Sequence, residues 1–471
     1  MPKLGKLTAV IAAAIVLLSF SGCGGGSGGS ADRSITPTPT PTGHNEWTWV
    51  SGPKLANQAG VYGSQGTASA NNVPVPREQP ASWTDASGNF WLFGGMAAPT
   101  QTSDIFFNDL WRFSGGQWTW VGGSNTPNQP GIYGSKGLAA PANIPGARFA
   151  AANWTDLAGT MWLFGGLGLD VNGTSNYLDD LWKYNAGQWT WVGGSSVGTQ
   201  NRAGIYGTQG VPAPVNQPGA RSDAVSWTDR FGNFWLFGGL GIDSAGTLGN
   251  LNDLWKYSAG QWTWMSGSNL ANQTGVYGSL GTAAPGNIPG ARIEAAGWTD
   301  SAGNLWLFGG ATGSNGSFFV FNDLWKYSSG QWTWVSGSNL FNQRGTYGTQ
   351  GTAAASNTPG SRVLATAWTD ASGNFWLFGG DSFDSAGALG QINDLWKFSG
   401  GQWTWVNGSN LISRPGAYGT QGTAAANNTP GARWGTASWV DGSGNLWLFG
   451  GDGYDANGTL GFMNDLWKYQ P

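Results

Sequence analysis

The sequence predicts an all-β chain folded as a closed β-propeller of six blades, with four antiparallel strands in each blade. Three observations predict this fold. The string WLFGG occurs six times, starting at residues 91, 162, 235, 306, 376 and 447. Strings of the NDLWKY and WTWV types repeat with the same period of 70–73 residues. The first WTWV-type string precedes every other repeat element, and the last repeat stops before its own. Such a period indicates one supersecondary unit copied six times.

Each repeat contains four strand-like segments, which we name a, b, c and d. In the third repeat they are RSDAVSWTD, FWLFGG, NDLWKY and WTWM. All are short, rich in aromatic and β-branched residues, and bounded by Gly, Asn, Asp or Ser. The a–b and c–d connections, such as DRFGN and SAGQ, are predicted to be tight hairpin turns. Both faces of strand b are apolar, so neighbouring sheets must cover each sheet on both sides, as in a propeller.

The ends of the repeat region predict how the ring closes. We expect residues 46–50 to form strand d of the sixth blade, so that the N-terminal strand completes the blade formed by the C-terminal repeat. The predicted propeller covers 46–471, with blades near 77–121, 148–192, 221–265, 292–335, 362–406 and 433–469. Of the 31 tryptophans, 30 fall at five repeat positions and only Trp434 does not. This regularity favours packing between blades over sugar stacking.

The first residues are predicted to be a processing and anchoring segment. Lys3 and Lys6 precede an apolar run, Leu7–Phe20, which is too short to span a bilayer comfortably but suits a signal peptide. LSFSGC then ends at the single cysteine, Cys23, and resembles the lipobox of bacterial lipoproteins, in which this cysteine is lipidated. The resemblance implies a signal peptide over 1–22, a Gly/Ser then Pro/Thr tether over 23–45, and anchoring at the bacterial envelope, in the outer membrane or at the cell surface. Ordinary secretory cleavage is the alternative.

The repeats also resemble a known family. The glycine doublet closing strand b, the D-L-W segment of strand c and the Trp-bearing strand d resemble Kelch repeats and the propeller of galactose-oxidase-like proteins, over residues 46–469. The repeats are longer than the roughly 50 residues of a Kelch unit, and the surplus lies between strands d and a, as in 266–291. We expect these d–a segments and the b–c loops to share one face, where unequal loops favour binding.

An arginine recurs at the start of strand a, the strand that lines the central channel of propellers. One interpretation is a ring of six guanidinium groups that binds an anion or an acidic peptide. The other is that each arginine pairs with the aspartate of NDL in its own blade, in bidentate geometry. The arginines are Arg77, Arg148, Arg221, Arg292, Arg362 and Arg433, and the aspartates are Asp109, Asp180, Asp253, Asp323, Asp394 and Asp465.

Two more residue sets are candidates for the ligand face. A tyrosine recurs in a G-x-Y-G context in the d–a segments, where it would either contact a protein or glycan or anchor the segment to its blade; these are Tyr62, Tyr133, Tyr206, Tyr277, Tyr347 and Tyr418. The b–c loops carry aspartates that would hold a calcium ion or simply form D-x-x-G turns; these are Asp170, Asp243, Asp381, Asp384, Asp452 and Asp455.

Composition excludes several functions. A net charge of −4 and a pI near 5.0 offer no electrostatic footprint for nucleic acid. With His44 and Cys23 as the single residues of their types, no Cys/His metal cage is possible, nor the copper site of galactose oxidases, which needs Tyr and His ligands. The sequence contains no recognisable pair of a catalytic nucleophile and a general base.

We therefore expect a monomeric, non-enzymatic binding module without a cofactor. Its ligand would be an envelope or extracellular protein or glycan, and only the lipid anchor would contact the membrane. The alternative is a carbohydrate-active enzyme that uses loop carboxylates at the mouth of the propeller.

Overall fold

The computed structural model describes residues 44–100, 103–198, 202–313 and 318–471. Within these ranges the regular structure is entirely β, so no helix long and apolar enough to cross a membrane occurs there. The predicted signal peptide, Cys23 and almost all of the tether lie outside the described residues.

In the described residues, six antiparallel sheets each contain four strands in the order a–b–c–d, and sheets 2, 3 and 6 carry a fifth strand. Sheet 1 contains Ala81–Thr84, Phe90–Phe93, Leu110–Ser114 and Gln117–Gly122; sheet 2 contains Ala152–Thr155, Met161–Phe164, Leu181–Asn185 and Gln188–Gly193; sheet 3 contains Val225–Thr228, Phe234–Ile242, Leu248–Ser258 and Gln261–Ser266; sheet 4 contains Ala296–Thr299, Leu305–Phe308, Leu324–Ser328 and Gln331–Ser336; sheet 5 contains Thr366–Thr369, Phe375–Phe378, Leu395–Ser399 and Gln402–Asn407; sheet 6 contains Ala437–Val440, Leu446–Phe449, Leu466–Gln470 and Glu46–Ser51.

The b–c loops form smaller hairpins. Their strands are Met96–Thr100 and Ser103–Phe106 in repeat 1; Leu167–Leu169 and Ser175–Tyr177 in repeat 2; Ala311–Thr312 and Phe319–Val320 in repeat 4; Asp381–Phe383 and Leu389–Gln391 in repeat 5; and Asp452–Tyr454 and Leu460–Phe462 in repeat 6. In repeat 3 strands b and c themselves extend into the hairpin. A two-residue strand containing the repeated arginine pairs with the hairpin at Arg148–Phe149, Arg221–Ser222, Arg362–Val363 and Arg433–Trp434.

The first strand of the repeat region lies beside the last. Glu46–Ser51 pairs antiparallel with Leu466–Gln470, with Trp47 opposite Tyr469. Trp47 is completely buried and its ring contacts Trp467, Tyr469 and Phe378 of the fifth sheet. The predicted pairing of the N-terminal strand with the last repeat is confirmed.

Tryptophans of strand a connect the sheets in a cyclic order. In each sheet the indole N–H donates to a strand b carbonyl of the next sheet, at 3.0–3.1 Å. The donor–acceptor pairs are Trp83–Trp162, Trp154–Trp235, Trp227–Trp306, Trp298–Trp376, Trp368–Trp447 and Trp439–Trp91. The sixth bond returns to the first sheet, and the apolar clusters lie between successive sheets. The tryptophans therefore serve the packing that their regular spacing predicts.

The tight turns also form as predicted. In the first a–b turn, Asp85 Oδ1 accepts the backbone N–H groups of Ser87 and Asn89, while Oδ2 accepts the indole N–H of Trp91. In the second c–d turn, Ala186 and Gly187 are both left-handed, with φ of 49° and 81°, as a two-residue type I′ turn requires.

The long d–a segments lie elsewhere than predicted. Their middle portions run along the outer edge of strand d of the following sheet instead of remaining on one face. Ala139–Ala140 pairs with strand d of sheet 2, and Ala424–Ala425 pairs with Glu46–Ser51. Single bridges such as Ala213–Trp262 occupy the same place in other repeats. Strand d would otherwise present an unpaired edge, and covering it explains the extra length of the repeat.

Candidate functional site

The repeated arginines are buried ion-pair partners. Arg221 donates from its two terminal nitrogens to Asp253 Oδ1 and Oδ2, both at 2.7 Å, and also to the carbonyls of Gly219 and Gly238. All six arginines make the equivalent pair, and their side chains are at most 1% exposed. The pairs are Arg77–Asp109, Arg148–Asp180, Arg221–Asp253, Arg292–Asp323, Arg362–Asp394 and Arg433–Asp465. Pairing is confirmed, and the interpretation of a free guanidinium ring is wrong because burial required a counter-charge.

The repeated tyrosines complete the same buried network. Tyr206 donates its hydroxyl to Asp253 Oδ2 at 2.6 Å, and Trp255 donates its indole N–H to the same oxygen. The ring of Tyr206 packs against Trp255 and Trp264. The same hydroxyl bond recurs at Tyr62, Tyr133, Tyr277, Tyr347 and Tyr418. The anchoring interpretation is therefore confirmed, and the tyrosines do not form an exposed contact ring.

Four loop aspartates are turn formers. Asp455 Oδ1 accepts the backbone N–H groups of Asn457 and Thr459, and Oδ2 accepts that of Ala56 at 3.1 Å. The equivalent bonds are made by Asp170, Asp243 and Asp384, and all four side chains are buried. The turn interpretation is confirmed for them, and Asp384 and Asp455 do not face a ligand. No group of three or more His, Cys, Asp or Glu side chains suited to a metal ion occurs in the described ranges.

Six backbone hydrogen bonds form a closed ring beside the arginines. The residue two positions after each arginine is left-handed, with φ between 48° and 63°. Its N–H donates to the carbonyl of the equivalent residue in the preceding repeat, at 2.7–3.1 Å. The ring runs through Gln79, Ala150, Asp223, Glu294, Leu364 and Gly435, and Gln79 donates to Gly435. The arginines consequently precede strand a instead of opening it, because this left-handed residue interrupts the extended chain.

A cavity of about 460 Å³ is lined by strand a residues of sheets 1, 2, 3, 5 and 6. Its lining includes Ser82, Asn153, Ser226 and Thr228. Several of these polar groups bind the neighbouring strand: Ser226 Oγ donates to the Asn153 carbonyl, and Asn153 Nδ2 donates to the Ser82 carbonyl. The cavity wall is therefore polar and uncharged.

Five carboxyls interact with one another at or near the backbone ring, which immediately precedes the strands a that line the cavity. We name Glu78, Asp223, Glu294, Asp381 and Asp452 the acidic mouth. Asp223 and Glu294 belong to the ring, and Glu78 adjoins it.

Asp381 and Asp452 follow glycine doublets and lie opposite Val363 and Trp434 of the arginine strands. Asp223 accepts hydrogen bonds from Gln79 Nε2 at 2.8 Å and from Ser222 Oγ at 2.6 Å.

Burial and neighbouring carboxylates raise the pKa values of three carboxyls of the acidic mouth. Burial raises the pKa of Glu294 well above its usual range, and Asp223, Glu78 and Asp381 raise it further. Burial, and then the neighbouring Asp452, raise the pKa of Asp381 to about 6. Burial also raises the pKa of Asp223. Mutual repulsion would be relieved by a proton or a bound cation.

The residues predicted from the sequence as ligand-face candidates thus fall into two groups. The structure brings Asp381 and Asp452 together at the mouth, while the arginines, tyrosines, Asp384 and Asp455 belong to the scaffold. Sequence reasoning missed Glu78, Asp223 and Glu294. The sequence does distinguish these three residues, because they are charged at repeat positions that other repeats fill with uncharged residues such as Phe149, Ala150 and Leu364.

The fold and site define an all-β repeat protein whose sheets leave a polar cavity with an acidic mouth. No family model matches the chain. It is 23% identical over 308 residues to a "Kelch repeat-containing protein" of Arthroderma benhamiae (strain ATCC MYA-4681 / CBS 112371), which covers 61% of this chain and 42% of the relative. The chain therefore spans less than half of that relative's length.

Two solved structures are similar at 13% identity. "Structure of YjhT" has a TM-score of 0.47 and matches over 84% of this chain and 95% of that one. "Novel fungal alcohol oxidase with catalytic diversity among the AA5 family, in complex with copper" has a TM-score of 0.45, over 87% of this chain and 77% of that one.

Proposed function

We propose that the chain is a lipid-anchored Kelch-type propeller that binds a protein or glycan ligand at the bacterial cell envelope. The propeller would be closed and six-bladed, each sheet forming one blade. The cyclic tryptophan bonds, the backbone ring and the pairing of the first strand with the last support closure.

The acidic mouth is the observation that carries the binding proposal. The ion-paired arginines and aspartates recur in all six repeats, whereas these five carboxyls are unequally distributed among the repeats and lie at or near one backbone ring. A rigid scaffold that presents unlike loops around a charged opening is suited to ligand binding.

A pull-down from envelope extracts with the full chain, alongside a glycan array, tests the proposal. Specific capture that is lost in the double variant Asp381→Asn/Asp452→Asn supports it. Capture that is unchanged in this variant excludes the acidic mouth as the binding site. Melting curves of both proteins control for folding.

The lipid anchor is proposed from Lys3, Lys6, the apolar run and Cys23. Cys23→Ser should move the protein from the membrane fraction to the soluble fraction of fractionated cells, because a lipidated cysteine would be its attachment. Equal membrane association of both proteins would refute the anchor.

A second candidate function is glycoside hydrolysis. The proximity of Asp381 and Asp452, with the pKa of Asp381 raised to about 6, supports it, because such enzymes use one protonated and one ionised carboxyl. A hydrolysis screen decides between the two: turnover that Asp381→Asn abolishes would replace the binding module with an enzyme.

A further inference from the structure

An arc of exposed apolar side chains lies on the face that carries the acidic mouth. Four repeats have a large apolar residue at the same position in the b–c hairpin: Leu248, Phe318, Leu389 and Leu460, with exposures of 39%, 38%, 43% and 48%. We name these four residues the apolar arc. In repeats 1 and 2 this position holds the polar residues Asp104 and Ser175.

The fourth repeat widens the apolar arc. Leu340 is 63% exposed, and Phe341 is 41% exposed and contacts Phe319 at 5.1 Å between ring centroids. The residues equivalent to Phe341 in two other repeats, Ala56 and Ala271, are buried and donate their N–H groups to a loop aspartate. An aromatic side chain in place of a small anchoring residue therefore adds exposed apolar surface to this blade.

Four of the five residues of the acidic mouth, all except Glu78, come from the blades that contribute the apolar arc. Asp223, Glu294, Asp381 and Asp452 come from repeats 3, 4, 5 and 6, which are the repeats that contribute the apolar arc. In repeat 5, Asp381 is opposite Gln391, and Leu389 lies two residues along that paired strand. The strand rise places the apolar side chain roughly 7 Å farther along the hairpin than the pairing point. Blades 3–6 thus present an inner acidic row and an outer apolar row.

We propose that blades 3–6 bind a polypeptide segment in which basic residues alternate with, or are flanked by, large apolar residues. This deepens the proposed binding function and rests on it. Charge complementarity selects the partner: the carboxyls of the mouth lie close enough to repel one another, so lysine or arginine side chains would relieve the repulsion. Apolar side chains of the same segment would cover the apolar arc, whose leucines suit side-chain packing better than the flat face of a sugar.

Fluorescence anisotropy with four labelled synthetic peptides tests this assignment on the full chain. The peptides are alternating Lys/Leu, Lys/Ser, Ser/Leu and Glu/Leu sequences of equal length. The Lys/Leu peptide should bind at least about tenfold more tightly than the other three, and its affinity should fall as KCl is raised, because screening weakens charge pairing.

Variants measure the contributions of the acidic row and of the apolar row to binding separately. Asp381→Asn/Asp452→Asn should weaken Lys/Leu binding about tenfold and remove most of its salt dependence. Leu389→Ser should weaken binding about fivefold and leave the salt dependence intact, since it removes apolar contact alone. Ser175→Ala, at the equivalent position of blade 2, is the matched control and should bind like the parent. Melting curves establish that each variant is folded.

The outcomes distinguish the partner class from the broader function. Equal binding of the Lys/Ser and Lys/Leu peptides would overturn the role of the apolar arc. Binding of a glycan at the mouth, without peptide binding, would overturn the polypeptide assignment and leave the binding module in place. An absence of specific capture from extracts, together with no peptide or glycan binding, would overturn both.

Discussion

Replacing Asp253 by asparagine tests the buried network that the repeats have in common. Asp253 accepts two hydrogen bonds from Arg221, one from Tyr206 and one from Trp255. In the parent protein burial lowers the pKa of Arg221, but the Asp253 carboxylate raises it to above its usual value. In Asp253→Asn this carboxylate is gone, yet the guanidinium stays charged because arginine does not lose its proton in proteins. Asp253→Asn therefore leaves a buried cation without its counter-charge, at a cost of about 3–5 kcal/mol.

The expected change in melting temperature follows from chain size. A unit of roughly 430 residues, His44–Pro471, has an unfolding entropy of about 0.9 kcal/mol/K, at about 2.1 cal/mol/K per residue. Asp253→Asn should thus lower the melting temperature by about 3–6 °C if the unit unfolds cooperatively. Tyr206→Phe removes one of four hydrogen bonds to the carboxylate and should lower it by about 2–3 °C.

Thermal scans followed by tryptophan fluorescence and near-UV circular dichroism measure both effects. The double variant Arg221→Met/Asp253→Leu is the control, because removing both charges should recover much of the loss caused by Asp253→Asn. A melting temperature within 1 °C of the parent for Asp253→Asn would refute the reasoning, as would a larger loss for Tyr206→Phe than for Asp253→Asn.

Three further outcomes are expected. Removing residues 44–52 exposes the edge of Leu466–Gln470 and deletes the buried Trp47 and Trp49, so the melting temperature should fall by roughly 7–11 °C; an unchanged melt would contradict closure by this strand. The free energy of unfolding should rise as the pH falls from 7 towards 5, because the raised pKa values of Asp223, Glu294 and Asp381 make the folded state bind more protons than the unfolded one. Glu294→Gln should flatten this rise. Identical pH profiles of variant and parent would contradict repulsion at the acidic mouth. Asp384→Ala removes the acceptor of three backbone N–H groups and should speed amide hydrogen exchange in 385–392 while sparing the equivalent hairpin of repeat 6; unchanged exchange would show that the loop holds without it.

The repeat period predicted the architecture because each copy must bury two apolar faces and its neighbours carry the same faces. The four-strand units, the tight turns and the pairing of the N-terminal strand all followed from the pattern of apolar and turn residues. The pairing of Arg221 with Asp253 was also foreseeable as one of two alternatives, since each repeat supplied one residue of each kind.

The course of the d–a segments was not foreseeable from their composition. Their glycines, asparagines and alanines are typical of loops, yet Ala139–Ala140 pairs with an outer strand. The exposed edge of strand d decided this course, because an edge strand needs a pairing partner and that edge exists only once the sheet has formed.

By itself, the sequence determined the repeating unit, its strands and the scaffold role of the tryptophans, because these depend on periodic burial that each copy repeats. Only the tertiary structure decided which charged residues share a site. Glu78, Asp223 and Glu294 are far apart in sequence, and they meet because a left-handed residue in every repeat turns the chain into one backbone ring. Burial then settled the alternatives for the arginines: a guanidinium withdrawn from water requires a carboxylate, and each repeat holds one within hydrogen-bonding distance.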